Sequence, residues 1–198
     1  MCAVMSRHHY RRAARSCVVT MKGVGVPDET FRPYADELLE RNRAFAVGFP
    51  DADLQVAPTK NLAVVACMDS RMDIFALLGL GHGEAHVVRN AGGVVTDDVI
   101  RSVCLSQRLL GTREIVLVHH TDCGLQKVSP AEFTEELEAD VGVKPVWSIE
   151  AFSDPYVDVQ RSIKRLMLSP FISYKEHIRG FVYDVVDGLL HEVEAHED

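Results

Sequence analysis

Two short, uninterrupted hydrophobic runs predict buried β-strands, at residues 62–66 and 115–118, and the mostly apolar residues 85–88 predict a further short strand between them. Strands that are covered on both faces have continuous apolar runs of this kind, whereas half-exposed strands alternate. Amphipathic segments separate the runs and predict helices at residues 73–80 and 97–110, the second capped by Thr96 and ended by Gly111. Strands that alternate with helices predict an open, mostly parallel central β-sheet flanked by helices, in the α/β class.

The two ends of the chain add further elements. Residues 28–49 place apolar side chains at helical spacing among charged ones, which predicts an N-terminal helical arm of the kind that packs on a partner subunit. Residues 131–140 and 154–168 predict two more helices. Residues 181–186 and 189–193, with a turn at Asp187 and Gly188 between them, predict a C-terminal β-hairpin.

Composition favours a single acidic domain. The chain has 198 residues, 47% of them hydrophobic, with a mean hydropathy of +0.01, which is enough for one sizeable core. The net charge of −8 opposes phosphate contacts, so we expect no nucleic-acid partner. Residues 1–27 carry five basic and no acidic side chains. We therefore predict a basic N-terminal tail over residues 1–27 and one α/β domain over residues 28–198.

The basic tail has two interpretations, an organelle transit peptide or sequence upstream of a true start at Met21. We favour the second. The chain shows no apolar run long enough to span a membrane and no secretion signal. Five cysteines are an odd number, which indicates thiols or metal ligands in a reducing compartment rather than a disulfide framework. We expect a cytoplasmic protein without a membrane partner.

Reactive side chains follow two of the predicted strands. Cys67 comes directly after the first strand, and His120 and Cys123 follow the third. Carboxyl ends of parallel strands meet at one edge of a sheet, where ligands bind. Each residue alone is more often an ordinary core or polar residue. Together, two thiolates and one imidazole suit Zn²⁺ and leave a fourth tetrahedral position open, as catalytic zinc sites require.

Asp69 and Arg71 lie in the same predicted loop and leave two alternatives open. The carboxylate of Asp69 either binds the metal, which blocks the fourth position, or pairs with the guanidinium of Arg71. In the second case the fourth position takes water, and Asp69 orients the resulting hydroxide. Asp69 is therefore both a candidate catalytic residue and a candidate metal ligand.

These motifs resemble the β-class carbonic anhydrases, zinc enzymes that interconvert carbon dioxide and bicarbonate. The resemblance rests on the sequences ACMDSR, RNAG and HHTDCG at residues 66–71, 89–92 and 119–124. It implies one Zn²⁺ per chain, held by Cys67, His120 and Cys123, with Asp69 and Arg71 as the dyad that controls the fourth position. It also implies a homodimer or higher homo-oligomer.

Asn90, Gly92 and Gly93 are candidate substrate-binding residues. Glycines allow backbone to approach a small ligand, and bicarbonate is a small anion. A tight turn between strand and helix is the alternative explanation.

The predicted activity is the zinc-dependent reversible hydration of carbon dioxide by a carbonate dehydratase, a lyase. One alternative is hydrolysis of carbonyl sulfide or carbon disulfide on the same site, because the resemblance does not fix the substrate. A second is a non-catalytic zinc protein with Asp69 as fourth ligand. A third is a cysteine phosphatase with Cys67 as nucleophile, although only three residues separate Cys67 from Arg71 where that class has five.

Overall fold

The computed structural model describes residues 30–194; the predicted basic tail at residues 1–27 lies outside them. The helices and strands are α1 (Ala35–Ala46), β1 (Leu62–Cys67), α2 (Ile74–Leu78), β2 (Ala85–Asn90), α3 (Asp97–Leu110), β3 (Glu114–His120), α4 (Pro130–Val141), α5 (Pro155–Leu168), β4 (Ile178–Tyr183) and β5 (Leu190–Val193). Two short 3₁₀ turns, Ala91–Gly93 and Gly124–Lys127, follow β2 and β3.

The strands form one sheet in the order β2-β1-β3-β4-β5. The first four are parallel, and β5 runs antiparallel to β4. The predicted α/β class is confirmed. The C-terminal hairpin is also present, but its first strand ends at Tyr183 rather than at residue 186. The reason is local: the Asp184 carboxylate accepts from the backbone N–H of Val186 at 2.8 Å, which turns the chain out of the ladder.

Caps expected from the sequence fix the helices that flank the sheet. Thr96 accepts from the backbone N–H of Val99 at the start of α3, and Gly111 ends that helix in the left-handed conformation. Asp154 accepts from the backbone N–H groups of Tyr156 and Val157 at the start of α5. Thr96 and Asp154 thus satisfy backbone donors that the first turn of each helix leaves unpaired, and the N–H of Gly111 donates to the carbonyl of Ser106 in the last turn of α3.

The two faces of the sheet are covered unequally. Helices α3 and α5 pack on one face, and their side chains join inward-facing residues of β1 and β3 in the larger core. The opposite face carries the short α2 and loop residues that include Met72 and Phe152. Helix α1 has no buried side chain. Within residues 30–194, no helix is both long and apolar enough to cross a membrane.

Pairing of β1 with β3 sets the position of the candidate site. Ala66 is level with Val118 in the parallel register. The next residue of β1, Cys67, and the last residue of β3, His120, therefore emerge at the same edge of the sheet.

Candidate metal centre

Cys67, His120 and Cys123 form a buried group at this edge. One ligand atom from each lies within 4.8 Å of the other two. The Nδ1 atom of His120 lies 2.9 Å from the carbonyl oxygen of Thr121 and donates to it, which leaves Nε2 as the lone-pair nitrogen. Nε2 is buried and has no hydrogen-bond partner in the described part of the chain. Two sulfurs and an unpartnered imidazole nitrogen are a donor set that could hold Zn²⁺.

The two thiols lie against each other. The hydrogen bond between them lowers the pKa of Cys67 and raises the pKa of Cys123, which favours a thiolate on Cys67 and a thiol that keeps its proton on Cys123. A metal ligand must be a thiolate. Binding of a divalent cation to this group would therefore displace that proton.

Asp69 lies beside the group but is turned onto Arg71. The guanidinium donates from Nε to Oδ1 at 2.9 Å and from Nη2 to Oδ2 at 2.8 Å, and the backbone N–H of Arg71 also donates to Oδ1 at 2.9 Å. These bonds hold the pKa of Asp69 well below its usual range. Oδ2 lies 3.6 Å from Nε2 of His120. Of the two arrangements left open by the sequence, the structure contains the one in which Asp69 pairs with Arg71.

The guanidinium of Arg71 has a second acidic partner, Asp122, which the sequence analysis missed. Nη1 lies 3.1 Å from Oδ2 of Asp122, and Nη2 donates to the backbone carbonyl of Asp122 at 3.1 Å. Lys127 binds the other carboxylate oxygen at 2.7 Å. The hydrogen bonds from Lys127 and Arg71 lower the pKa of Asp122. The sequence signal was its place beside Cys123, within the HHTDCG motif.

Arg89 holds the loop that carries two of the predicted site residues. Its Nε donates to the carbonyl of Cys67 at 2.9 Å, and its Nη2 donates to the carbonyl of Asp69 at 2.8 Å. The RNAG motif contained Arg89, but only the folded loop reveals what its guanidinium binds.

The structure gives the two predicted substrate glycines a packing role. A Cβ atom on Gly93 would lie 2.7 Å from the backbone nitrogen of Cys67, and one on Gly92 would lie 2.6 Å from Leu125. Asn90 donates to the carbonyl of Val94, and its Oδ1 is buried without a partner among the described residues. Contact of these residues with substrate stays a prediction.

The fold and the site define an α/β protein with a candidate mononuclear metal centre of two cysteines and one histidine. Comparison with known proteins agrees with this class. A sequence model of the carbonic anhydrase family matches residues 62–146. Beta-carbonic anhydrase 1 of Mycobacterium tuberculosis is 49% identical over 158 residues, which cover 80% of this chain and 96% of that protein.

The crystal structure of a carbonic anhydrase from Streptococcus mutans superposes with a TM-score of 0.77 at 43% identity, over 83% of this chain and 99% of that chain. This chain belongs to the β-carbonic anhydrase family, whose members are zinc enzymes of the lyase class. Membership sets aside the cysteine-phosphatase interpretation. A carbon disulfide hydrolase of Acidianus is also similar, at 39% identity over 57% of this chain and 53% of that protein.

Replacement of Arg89 by alanine should weaken metal binding, because the carbonyls of Cys67 and Asp69 lose the donor that fixes the loop. We expect the variant to stay folded. We expect the zinc affinity to fall about 10- to 100-fold, as is typical when a residue that orients a ligand is removed. Competition with a chromophoric chelator measures it. Arg113→Ala is the matched control, because Arg113 stacks on Tyr174 and not on the loop. Equal zinc affinities for Arg89→Ala and the wild type would contradict this role.

Proposed function

We propose that this protein catalyses the zinc-dependent, reversible hydration of carbon dioxide to bicarbonate and a proton. One Zn²⁺ per chain is held by Cys67, His120 and Cys123. The observation that carries the proposal is the buried, unpartnered Nε2 of His120 beside two thiols, with the neighbouring Asp69 carboxylate turned onto Arg71.

A bound zinc ion would supply Lewis acidity, which lowers the pKa of water from about 15.7 to about 7. The chain's own residues do the rest. Arg71 keeps Asp69 ionised and directed away from the ligand group, so the fourth position has no protein ligand. An ionised Asp69 can only accept a hydrogen bond, and it orients the attacking nucleophile through that bond.

The glycine turn completes the proposed substrate site. Close packing of Gly93 on Cys67 brings the turn to the same edge of the sheet as the ligand group. We place the substrate beside Asn90, Gly92 and Gly93, whose backbone approaches the site without side chains in the way.

Hydrolysis of carbon disulfide is the second candidate, because carbon disulfide hydrolases are among the similar proteins. The coverage of the mycobacterial carbonic anhydrase favours carbon dioxide, because its 49% identity extends over 80% of this chain, whereas a carbon disulfide hydrolase of Acidithiobacillus thiooxidans is 50% identical over only 33% of it. A non-catalytic role needs four protein ligands, and the pairing of Asp69 with Arg71 argues against it. The comparison of carbon dioxide with carbon disulfide turnover on one zinc-loaded sample separates the candidates.

We propose a homodimer or higher homo-oligomer in which α1 packs on a second copy. Tyr34, Leu38 and Phe45 lie at helical spacing and are 56–67% exposed. A groove of about 800 Å³ between α3 and α5 offers a matching apolar surface, with Ile100, Leu105, Leu168 and Phe171 in its lining. Two β-carbonic anhydrases of Sordaria macrospora with this fold are tetrameric.

A cytoplasmic location remains part of the proposal. It rests on the cysteines, of which the three in the described part of the chain are free thiols.

Removal of a ligand should abolish metal binding and turnover together. We expect Cys67→Ala and His120→Ala to lose zinc and to lose carbon dioxide hydration by at least about 10³-fold, because a three-ligand site cannot spare a ligand. Asp69→Asn should keep zinc and lose most turnover. Stopped-flow hydration and zinc analysis on the same samples measure both. Cys104→Ala is the control, because Cys104 is free and lies outside the group; a fully active Cys67→Ala protein would refute the ligand set.

Activity should rise with pH between 6 and 9, with a single midpoint near 7 or somewhat above, where water on zinc ionises. Asp69 adds no second transition. Its folded pKa is lowered, so its charge is lost only as the pH falls below the usual carboxylate value of about 3.9. The profile of kcat/KM measures this dependence, and a flat profile would contradict the proposed nucleophile.

A charge on the exposed face of α1 should weaken assembly. Leu38→Glu places a carboxylate where the proposed interface is apolar. We expect the oligomeric mass of this variant to fall towards the mass of the monomer at micromolar concentration. Light scattering coupled to gel filtration measures the mass. Val186→Glu is the control, because Val186 is exposed on the turn between β4 and β5. A Leu38→Glu protein with the wild-type oligomeric mass would rule out this interface.

A further inference from the structure

Arg71, Asp69 and Asp122 form a partly exposed network of charges. Their side chains are 45%, 18% and 54% exposed, and at such sites an isolated ion pair contributes little, whereas a bidentate pair within a network of charges contributes more. A guanidinium has five N–H donors. In this structure two of them bind the Asp69 carboxylate and two others bind Asp122, one at its carboxylate and one at its backbone carbonyl. Half of the bonds that orient the guanidinium therefore come from Asp122.

The two acids do not compete for the same hydrogens. Nε and Nη2 of Arg71 donate to the Asp69 carboxylate. Nη1 donates to the Asp122 carboxylate, and Nη2 also donates to the backbone oxygen of Asp122. A planar guanidinium held on two edges has its plane fixed. Asp122 thus orients the guanidinium of Arg71 for its two bonds to Asp69.

Asp122 is itself held in place. Nζ of Lys127 donates to Oδ1 of Asp122 at 2.7 Å, and Nη1 of Arg71 lies 3.1 Å from Oδ2. The backbone of Asp122 is left-handed, with φ of 55°, a conformation that aspartate, asparagine and glycine adopt more readily than other residues. Its side chain and carbonyl both reach Arg71 from this conformation.

We propose that Asp122, braced by Lys127, is a positioning residue that holds Arg71 on Asp69 and thereby keeps the fourth position of the metal centre open. This inference rests on the metal site proposed above. Oδ2 of Asp69 lies only 3.6 Å from Nε2 of His120. A small rotation of the Asp69 carboxylate would bring Oδ2 to a metal bound at Nε2 of His120. The pairing with Arg71 prevents that rotation, so an open fourth position depends on the residues that hold Arg71.

The test uses cobalt(II) in place of zinc, because its visible absorption reports the ligands of the metal. Azide, a small anionic ligand, binds the fourth position only when that position is open. Asp122→Gly removes the side chain and tolerates the left-handed backbone, and Asp122→Asn removes the charge alone. We expect both variants to bind one cobalt, Asp122→Gly to bind azide about tenfold more weakly than the wild type, and Asp122→Asn to show a smaller loss.

The same azide titration in an Asp69→Asn background shows whether Asp122 affects azide binding through Asp69. A neutral amide at position 69 is a poor substitute ligand, so Asp122→Gly should change azide affinity there by less than about twofold. Asp98→Asn is the matched control, because Asp98 forms an exposed pair with Arg101 on α3; it should bind azide as the wild type does.

Three results would overturn the inference: unchanged azide affinity in Asp122→Gly, an equal loss of affinity in the Asp69→Asn background, or failure of both Asp122 variants to bind cobalt. A wild-type protein that binds cobalt but not azide contradicts the open fourth position itself. That outcome identifies a failure of the proposed function rather than of the role of Asp122.

Discussion

Parallel pairing of β1 with β3 determines where the chemistry of this protein can take place. Both strands are buried and apolar, so their register is set by the core. That register brings Cys67 and His120 to the same edge of the sheet. The glycine turn after β2 can approach this edge because Gly93 has no side chain to strike the backbone of Cys67. Core packing and the metal centre therefore depend on the same few contacts.

Charged side chains then fix the positions of the loop backbone and of the Asp69 carboxylate at this edge of the sheet. Arg89 holds two carbonyls of the loop after β1, and Arg71 connects the carboxylates of Asp69 and Asp122. The two arginines act differently. Arg89 fixes the backbone of the loop, whereas Arg71 determines the direction of the Asp69 carboxylate beside the candidate metal ligands. A metal centre that needs an open position requires both kinds of restraint.

Much of this arrangement was predictable from local sequence. Apolar runs predicted the buried strands β1 and β3, and the mostly apolar residues 85–88 predicted β2. Thr96, Gly111 and Asp154 predicted helix ends, because capping depends on neighbouring residues. Strand ends also predicted that Cys67 and His120 would meet.

The contacts of Arg71 with Asp122 and of Arg89 with the loop were not predictable. Each joins segments that are 20 or more residues apart in the sequence. Such bonds depend on how a loop is oriented after the sheet has formed, and no periodicity or spacing encodes that orientation. The end of β4 was missed for a related reason, since a single side-chain bond of Asp184 ends the strand.

The central claim is that two sulfurs, from Cys67 and Cys123, and one imidazole, from His120, hold the metal. Zinc K-edge X-ray absorption on the purified protein at neutral pH tests it most directly. The account predicts two sulfur neighbours at about 2.3 Å and two nitrogen or oxygen neighbours at about 2.0–2.2 Å. A shell of three or four sulfurs, or a shell of nitrogen and oxygen without sulfur, would contradict it.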